Sequence, residues 1–392
     1  MNVPEAIGPS TTRVVRWTSL DDLTPYAQDW DRLSGDLPFR GWAWMSGWWR
    51  HYGSRPAHGE RTGELYVLGV LDEAERLFGV APWYLSAGSW RGRVLRFLGT
   101  GEVCPEYLSV LTARGQEGPV AAALAEWLTA ARGPDAWDLL ELTAVGGEDV
   151  AVAQLAQRLE ARGNLVHRRA GPSCWRIVLP GSWDEYLATL SKGHARQLRR
   201  AERRLLASGR AVVHRVQEPE ELARGRQVLV DLHQGRWTAL GQPGCFASKR
   251  YTAFHGELLG ELLARRQLML FWIELDGKPF VANYLLAAGD TVYYYQRGLD
   301  VNRLADSPGQ LGALVSLRLA IDGGYRTLDM LRGDEPYKAH FRARPNPCLE
   351  IRAVPARFPA RLRHGLWLAG SRAKRWLAAR RAGELERRVK IS

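Results

Sequence analysis

Cysteine is scarce: four in 392 residues, at Cys104, Cys174, Cys245 and Cys348, with no CxxC pair. Such scatter argues against a disulfide framework or a zinc site and suits a reducing compartment. The nine histidines form no HExxH or similar ligand spacing, so no metal is expected. The absence of a GxSxG run removes the serine-hydrolase elbow. No stretch approaches the roughly 18 continuous apolar residues of a membrane span. The opening MNVPEAIGPSTTRVVRW lacks a secretory apolar run, and a cytoplasmic location is expected. Excess positive charge is also missing from most of the chain. Residues 352–392 hold twelve Arg/Lys against two Glu, a net +10 of the chain's +12, leaving +2 for everything before them. A near-neutral body with a basic tail suggests docking on an anionic surface rather than general nucleic-acid binding.

What is present is concentrated in residues 268–341. LMLFWIEL, Asp276-Gly277 and KPFVANYLL read as a hairpin, two strand-forming runs around a DG turn. Ala288-Gly289-Asp290 leads into TVYYYQRG, and Ser307-Pro308-Gly309 opens an apolar-periodic helix to about Gly323, with Ser as N-cap and Pro in the first turn. YRTLDML is the next strand. Its far end delivers Arg332, Asp334, Glu335, Tyr337 and Lys338, five ionisable groups in seven residues, more than a core strand needs. The same order recurs earlier: LYVLGVLDEAERLFGVAPWYL (65–85), RVLRFLG (93–99), a helix over about 117–132, and WDLLELT (137–143). Four elements repeated roughly 190–200 residues apart indicate a duplicated domain. Only the second copy carries the GDEPYK cluster, so the chemistry is expected there and scaffolding, or part of the substrate wall, in the first.

At 392 residues the chain is expected to hold two domains, 1–172 and 173–351, followed by a basic amphipathic tail over 352–392. Ser19 to Leu33 fits a helix. The run PFRGWAWMSGWWRHYG, with Trp42, Trp44, Trp48 and Trp49, reads as an aromatic plug or as a wall for a sugar or acyl chain. Ser182 to Ser208 is expected as one helix with Lys192, Arg196, Arg199, Arg200, Arg203 and Arg204 on its polar side. That face is either solvated or a grip for a phosphate-rich ligand. The tail, with Leu362, Leu366, Trp367, Trp376 and Leu377 among arginines, fits an anionic membrane surface, nucleic acid, or packing on the enzyme body.

The order helix–helix–strand–strand–strand–helix–strand resembles a GNAT acyltransferase domain. The SPG helix start, the strand ending LDMLRGDEPYK and the basic helix SKGHARQLRRAERRLLASG are similar to CelD-type acetyltransferases of cellulose and exopolysaccharide formation, relatives of the tandem-GNAT Fem peptidyltransferases. The resemblance is best over about 182–341 and thin over 20–150. It implies an α/β fold of tandem GNAT-like domains, each a mixed, mainly antiparallel sheet flanked by helices. The pyrophosphate run of that family is not intact. The nearest strand end is Gln296-Arg297-Gly298, and the helix start Ser307, Gly309 and Gln310 follows some ten residues later. These six are the expected contacts to acyl-CoA, acetyl-CoA most simply. Asp329, Asp334 or Glu335 is the expected base. Asp329 and Lys338 are the positions that the family's pattern marks, Lys338 as a charge stabiliser or a salt-bridge partner of Asp334 or Glu335. Tyr337, and less so Tyr295, would protonate the thiolate. Lys192, Arg196, Arg199, His233, Arg236, Trp237 and Arg332 are the expected substrate contacts. The implied acceptor is a sugar or a carrier-linked envelope or exopolysaccharide precursor, with the enzyme peripheral at the inner membrane face. Two alternatives stand beside this: a Fem-like transferase using aminoacyl-tRNA, and a non-catalytic nucleic-acid-binding protein on a GNAT scaffold.

Overall fold

The computed structural model describes residues 12–54, 62–89 and 91–370. Strands β1 (Arg13–Trp17), β2 (Thr62–Leu71), β3 (Leu77–Ser89), β4 (Gly92–Phe97), β5 (Leu111–Thr112), β6 (Leu139–Gly146) and β7 (Leu165–Ala170) come from the first half. The second half supplies β8 (Cys174–Val178), β9 (Ala211–Arg215), β10 (Leu268–Leu275), β11 (Lys278–Ala288), β12 (Thr291–Leu299), β13 (Thr327–Arg332), β14 (Arg344–Asn346) and β15 (Cys348–Val354). The first sheet runs β1-β2-β3-β4-β6-β15-β7, with β5 on β3; the second runs β9-β10-β11-β12-β13-β8-β14. In each sheet one neighbouring pair is parallel, β4 with β6 and β12 with β13. The duplicated order read from sequence is therefore a duplicated topology, and the expected tandem of mixed, mainly antiparallel sheets flanked by helices is what the chain forms.

Local chemistry explains the regular parts. Asp276 (φ 54°) and Gly277 (φ 74°) are both left-handed, as a two-residue hairpin turn requires. The first half carries α1 (Leu20–Leu23), α2 (Ala27–Ser34), α3 (Trp42–Tyr52), α4 (Glu117–Ala130) and α5 (Val150–Ala161), so the helix expected over Ser19–Leu33 is interrupted at Thr24–Tyr26. The expected helix over 182–208 divides into α6 (Trp183–Thr189), α7 (Lys192–Ala201) and a π-type turn over Glu202–Leu206. The break falls where Ser191 caps α7 by accepting from the His194 N–H at 3.3 Å. The remaining long helices are α8 (Pro219–Ala239), α9 (Lys249–Ala264) and α10 (Pro308–Asp322), with a short α11 (Tyr337–His340) after β13. The second sheet is covered by α6, α7 and α10 on one face. On the other it meets α8, α9 and the tryptophan segment of the first half, Trp42–Tyr52. Trp44, fully buried, packs against Phe254, His255 and Tyr295 with ring centroids 5.3–5.9 Å apart. The aromatic plug is thus core, and it joins the halves; burying each such ring contributes on the order of 2–3 kcal/mol.

The junction departs from the expected boundaries. β7 and β8 are separated by only Gly171, Pro172 and Ser173 yet lie in different sheets, and β14 and β15, separated by Pro347, do likewise. The strand at Cys348–Val354, expected to close the second domain at 351, instead pairs with β6 and β7 in the first sheet. Each sheet therefore receives its next-to-last strand from across a crossover. The start of the tail is also structural. A helix over 358–370 seats Ala360 beside Val94, Leu139 and Val354, and His364 stacks on His167. The remainder of the expected tail, 371–392, lies outside the described residues.

Candidate active site

β12 and β13 run as parallel neighbours only from Thr291↔Thr327 to Tyr293↔Asp329, and beyond that they diverge. Both strands contribute to the opening. On β12, Tyr284 faces Gln296 while Leu285 faces Tyr294, so Tyr295 is an extra, bulged residue that bends the strand. On β13, Leu331 is left-handed (φ 55°), and its N–H is held by Asp329 Oδ1 at 2.8 Å. Lys338 then gathers the strand end: Nζ donates to the carbonyls of Leu331 (3.1 Å), Arg332 (2.9 Å) and Gly333 (2.9 Å). The same ammonium pairs with Glu335 at 3.0 Å and is 2% exposed. All its bonding capacity is taken, so Lys338 shapes the cleft and is not the free charge expected to stabilise an oxyanion. The expected salt bridge to Glu335 is present.

A cavity lies on each side of the divergence. The larger, about 650 Å³, is bounded by the start of α10 (Ser307, Gly309, Gln310), by His194 and Gln197 of α7, and by His340 and Arg342. The smaller, about 210 Å³, lies between the halves. Gln296, Arg236, Trp237, Arg332 and Glu335 face Cys104 and Glu106 of the first half across it. Arg297 and Tyr337 line both cavities, the guanidinium 5.8 Å from the tyrosine ring centroid. Ser307 does not cap α10 through its side chain as expected. It is left-handed (φ 57°, ψ 56°), its hydroxyl makes no cap bond, and its carbonyl accepts from Gln310 and Leu311 at 3.1 Å each. With no side-chain cap on its first turn, the positive end of the helix dipole faces the larger cavity, with the Arg297 guanidinium close against Gly309. His194 Nδ1–H donates to the His340 carbonyl at 2.8 Å, which fixes its tautomer and ring plane.

The expected site residues fall into distinct groups. Four of the six residues expected to contact the carrier, Arg297, Ser307, Gly309 and Gln310, line the larger cavity together with Tyr337, the expected acid. Gln296 turns instead to the smaller cavity. Gly298 lines neither: a Cβ there would stand 2.7 Å from the His233 backbone nitrogen, so it is glycine to let α8 approach. Asp329 is fully buried and faces away from both cavities; Oδ2 accepts from Tyr107 (2.5 Å) and Arg176 (2.9 Å). Burial raises its pKa and those two hydrogen bonds oppose the rise, but with no path to a substrate it is not the base. Asp334 is exposed and accepts from the Trp175 indole at 3.0 Å. Of the three expected bases only Glu335 reaches a cavity, and it is half-exposed and tied to Lys338.

Of the residues expected to contact substrate, Arg236, Trp237 and Arg332 line the smaller cavity. His233 is buried one turn behind, accepting from the Trp237 indole at 3.0 Å; it positions Trp237 rather than touching a ligand. Lys192, Arg196 and Arg199 are exposed and line neither cavity, and the residues of α7 that do are His194 and Gln197. Tyr295 donates its hydroxyl to the Val103 carbonyl at 2.6 Å and is spent there. Burial lifts the Tyr337 pKa, with Arg297 opposing it.

Glu106 escaped the sequence reading. It is 2% exposed, ion-paired with Arg332 and hydrogen-bonded to it, and burial raises its pKa against that pairing. It comes from a loop of the first half with no motif around it, and no local signal marks it. Cys174 and Cys348, far apart in sequence, meet at the strand crossover with Sγ atoms 3.7 Å apart. With Glu106 they bring three possible ligand atoms within 4.8 Å. The carboxylate is held by Arg332 and the thiols by each other, so this is a polar knot in the crossover and no clear metal site.

Comparisons with known proteins agree with this architecture. Residues 192–339, which supply most of the second-half lining of the two cavities, match a family model described as an acetyltransferase (GNAT) domain. No curated protein matches the chain. Among solved structures, FemX superposes with a TM-score of 0.59 at 11% identity, covering 83% of this chain and 95% of that one. The C-terminal domain of a putative lysylphosphatidylglycerol synthetase from Agrobacterium fabrum gives 0.51 at 12% identity, covering 88% and 95%. A conserved protein of unknown function from Bacteroides thetaiotaomicron gives 0.50 at 13%, covering 85% and 96%. At these identities the likeness is one of fold.

Proposed function

We propose that this protein is an acyltransferase that moves an acyl group from a phosphate-bearing thioester, acyl-CoA most simply, to an amine or hydroxyl acceptor. The observation that carries this reading is the pair of cavities meeting at Arg297 and Tyr337 where β12 and β13 part. The residues of the larger cavity suit the carrier: an uncapped helix start with Arg297, His194 and Arg342 around it attracts phosphate. The thioester enters the gap between the strands. The acceptor lies in the smaller cavity, where Trp237 offers a flat apolar face and Gln296, Glu335 and Arg332 offer polar contacts, a lining suited to a sugar or an envelope precursor.

The acceptor N or O attacks the thioester carbonyl, and Glu106, its pKa raised by burial, takes the displaced proton. Arg297 stabilises the tetrahedral oxyanion. As the C–S bond breaks, Tyr337 protonates the departing thiolate, completing transfer of the acyl group. The first domain thus supplies the base to a site whose other groups come from the second.

A second reading rests on the exposed basic row of α7, Lys192, Arg196 and Arg199, beside the larger cavity. That row suits the acceptor stem of an aminoacyl-tRNA donor. Melting the purified protein with CoA thioesters or with charged tRNA separates the two. The CoA reading expects the thioester alone to raise Tm, and Arg297→Ala to abolish that rise. A rise with tRNA alone refutes it.

A further inference from the structure

The helix over 358–370 has two faces with opposite surroundings. Ala360, His364 and Trp367 point to the first sheet: Ala360 is 2% exposed in a cluster with Val94, Leu139 and Val354, and the Arg352 guanidinium lies 4.1 Å above the Trp367 ring. Opposite them, one residue per turn, are Phe358 at 77%, Leu362 at 51% and Leu366 at 63% exposed. Three large apolar side chains in line at a spacing of four make a stripe rather than scattered exposure.

The charges that follow the stripe say what covers it. Arg361 and Arg363 beside it are turned to the body, the Arg361 guanidinium donating to the Gly163 carbonyl at 2.8 Å and the Arg363 guanidinium pairing with Asp138 at 2.9 Å. The stripe leads directly into residues 371–392, which contain eight Arg/Lys and two Glu. A protein partner for an apolar stripe needs a matching apolar groove. A lipid surface needs only apolar side chains at acyl depth and cations to meet the headgroups, and here the apolar stripe is followed in the sequence by that basic run.

We propose that Phe358, Leu362 and Leu366 form an insertion stripe that seats the protein on an anionic phospholipid surface, with the basic residues that follow held at the headgroups. The helix is anchored to the first sheet through its inner face, so docking fixes the orientation of the body as well as its location. The inference does not depend on the acyltransferase reading.

The test is co-sedimentation of the full chain with vesicles of phosphatidylcholine, with and without phosphatidylglycerol, at low and high salt. Wild type is expected to pellet with the anionic vesicles only and less at high salt. Leu362→Glu/Leu366→Glu is expected to bind them roughly tenfold less well per leucine replaced, with Tm and CoA-thioester binding unchanged, since both positions are exposed. The proposal is overturned if wild type ignores anionic vesicles, if the double variant binds them equally well, or if the protein binds RNA and not vesicles. It is equally overturned if the stripe mediates self-association, seen as a concentration-dependent dimer that the double variant loses, without vesicle binding.

Discussion

The two sheets open in the same place and use the opening differently. In the first, β4 and β6 are parallel neighbours only at Val94↔Leu139 and Leu95↔Leu140 before parting. Ala144 on β6 is left-handed (φ 57°), as Leu331 is on β13 (φ 55°). In the first half the gap is closed by the chain itself. The segment 103–112 runs through it with Val103, Tyr107 and Leu108 buried, and the Leu108 N–H donates to the Ala144 carbonyl at 2.9 Å. Among the described residues no such segment returns in the second half, and the gap is left to Arg297, Tyr337 and two cavities. The acid on the strand is common to both: Glu141 pairs with Arg352 of β15 at 2.8 Å, and Asp329 with Arg176 of β8 at 2.9 Å. A feature present in the filled copy and in the open one is scaffold. What distinguishes the open copy is what it does not bury.

The sharpest way to break the comparison is to remove the group that the filled half lends to the open one. Glu106→Gln is expected to lower kcat/KM roughly 10²–10⁴-fold, with loss of the acidic limb of the pH–rate profile, while donor binding is kept. An unchanged profile would return the base to Glu335. Lys338→Met is next. Three strand-end carbonyls lose their donor in a buried place, and unfolding stability should fall by about 3–5 kcal/mol. If Lys338→Met keeps its urea midpoint but loses turnover, Lys338 is a chemical group after all.

A third experiment probes the aromatic seam between the halves. Burial lowers the His255 pKa from 6.5 to about 3, and the ring is 1% exposed. A depressed pKa means that the unfolded chain takes up the proton first. The stabilisation is therefore full above about pH 6.5 and is lost as pH falls toward 3, by on the order of a few kcal/mol. Urea midpoints between pH 7 and pH 4 should fall, and His255→Phe should flatten that fall. The smallest effect is expected from Lys192→Glu/Arg199→Glu. These residues are exposed and line neither cavity, so the KM for a CoA thioester should change by no more than about threefold. A much larger change would favour a long nucleic-acid donor.

Much of the fold was legible in short range. The DG hairpin, the apolar helix from Pro308 and the repeated order of elements depend on turn chemistry and periodicity and appear where expected, whereas the helices read over 19–33 and 182–208 are each broken into shorter pieces. The site was legible only as a neighbourhood. LDMLRGDEPYK marks the strand end that makes the cleft, yet Asp329 and Lys338, the two residues that stand out in it, turn inward to hold its shape. A warning was available: the first copy has Glu141 at the corresponding strand, with no cluster after it, so an acid there need not be chemical.

The residue order fixed two copies of one strand–helix arrangement, the apolar helix that starts beside the second cleft, and the strand end where ionisable groups collect. Those features follow from residues a few positions apart. Only the folded chain settled the return of β15 to the first sheet, the uncapped start of α10, the arrival of Glu106 from the other half, and the direction of each side chain past the bulge at Tyr295 and the left-handed Leu331. One extra residue in a strand reverses every side chain beyond it, and pairing across some 170 residues leaves no local trace.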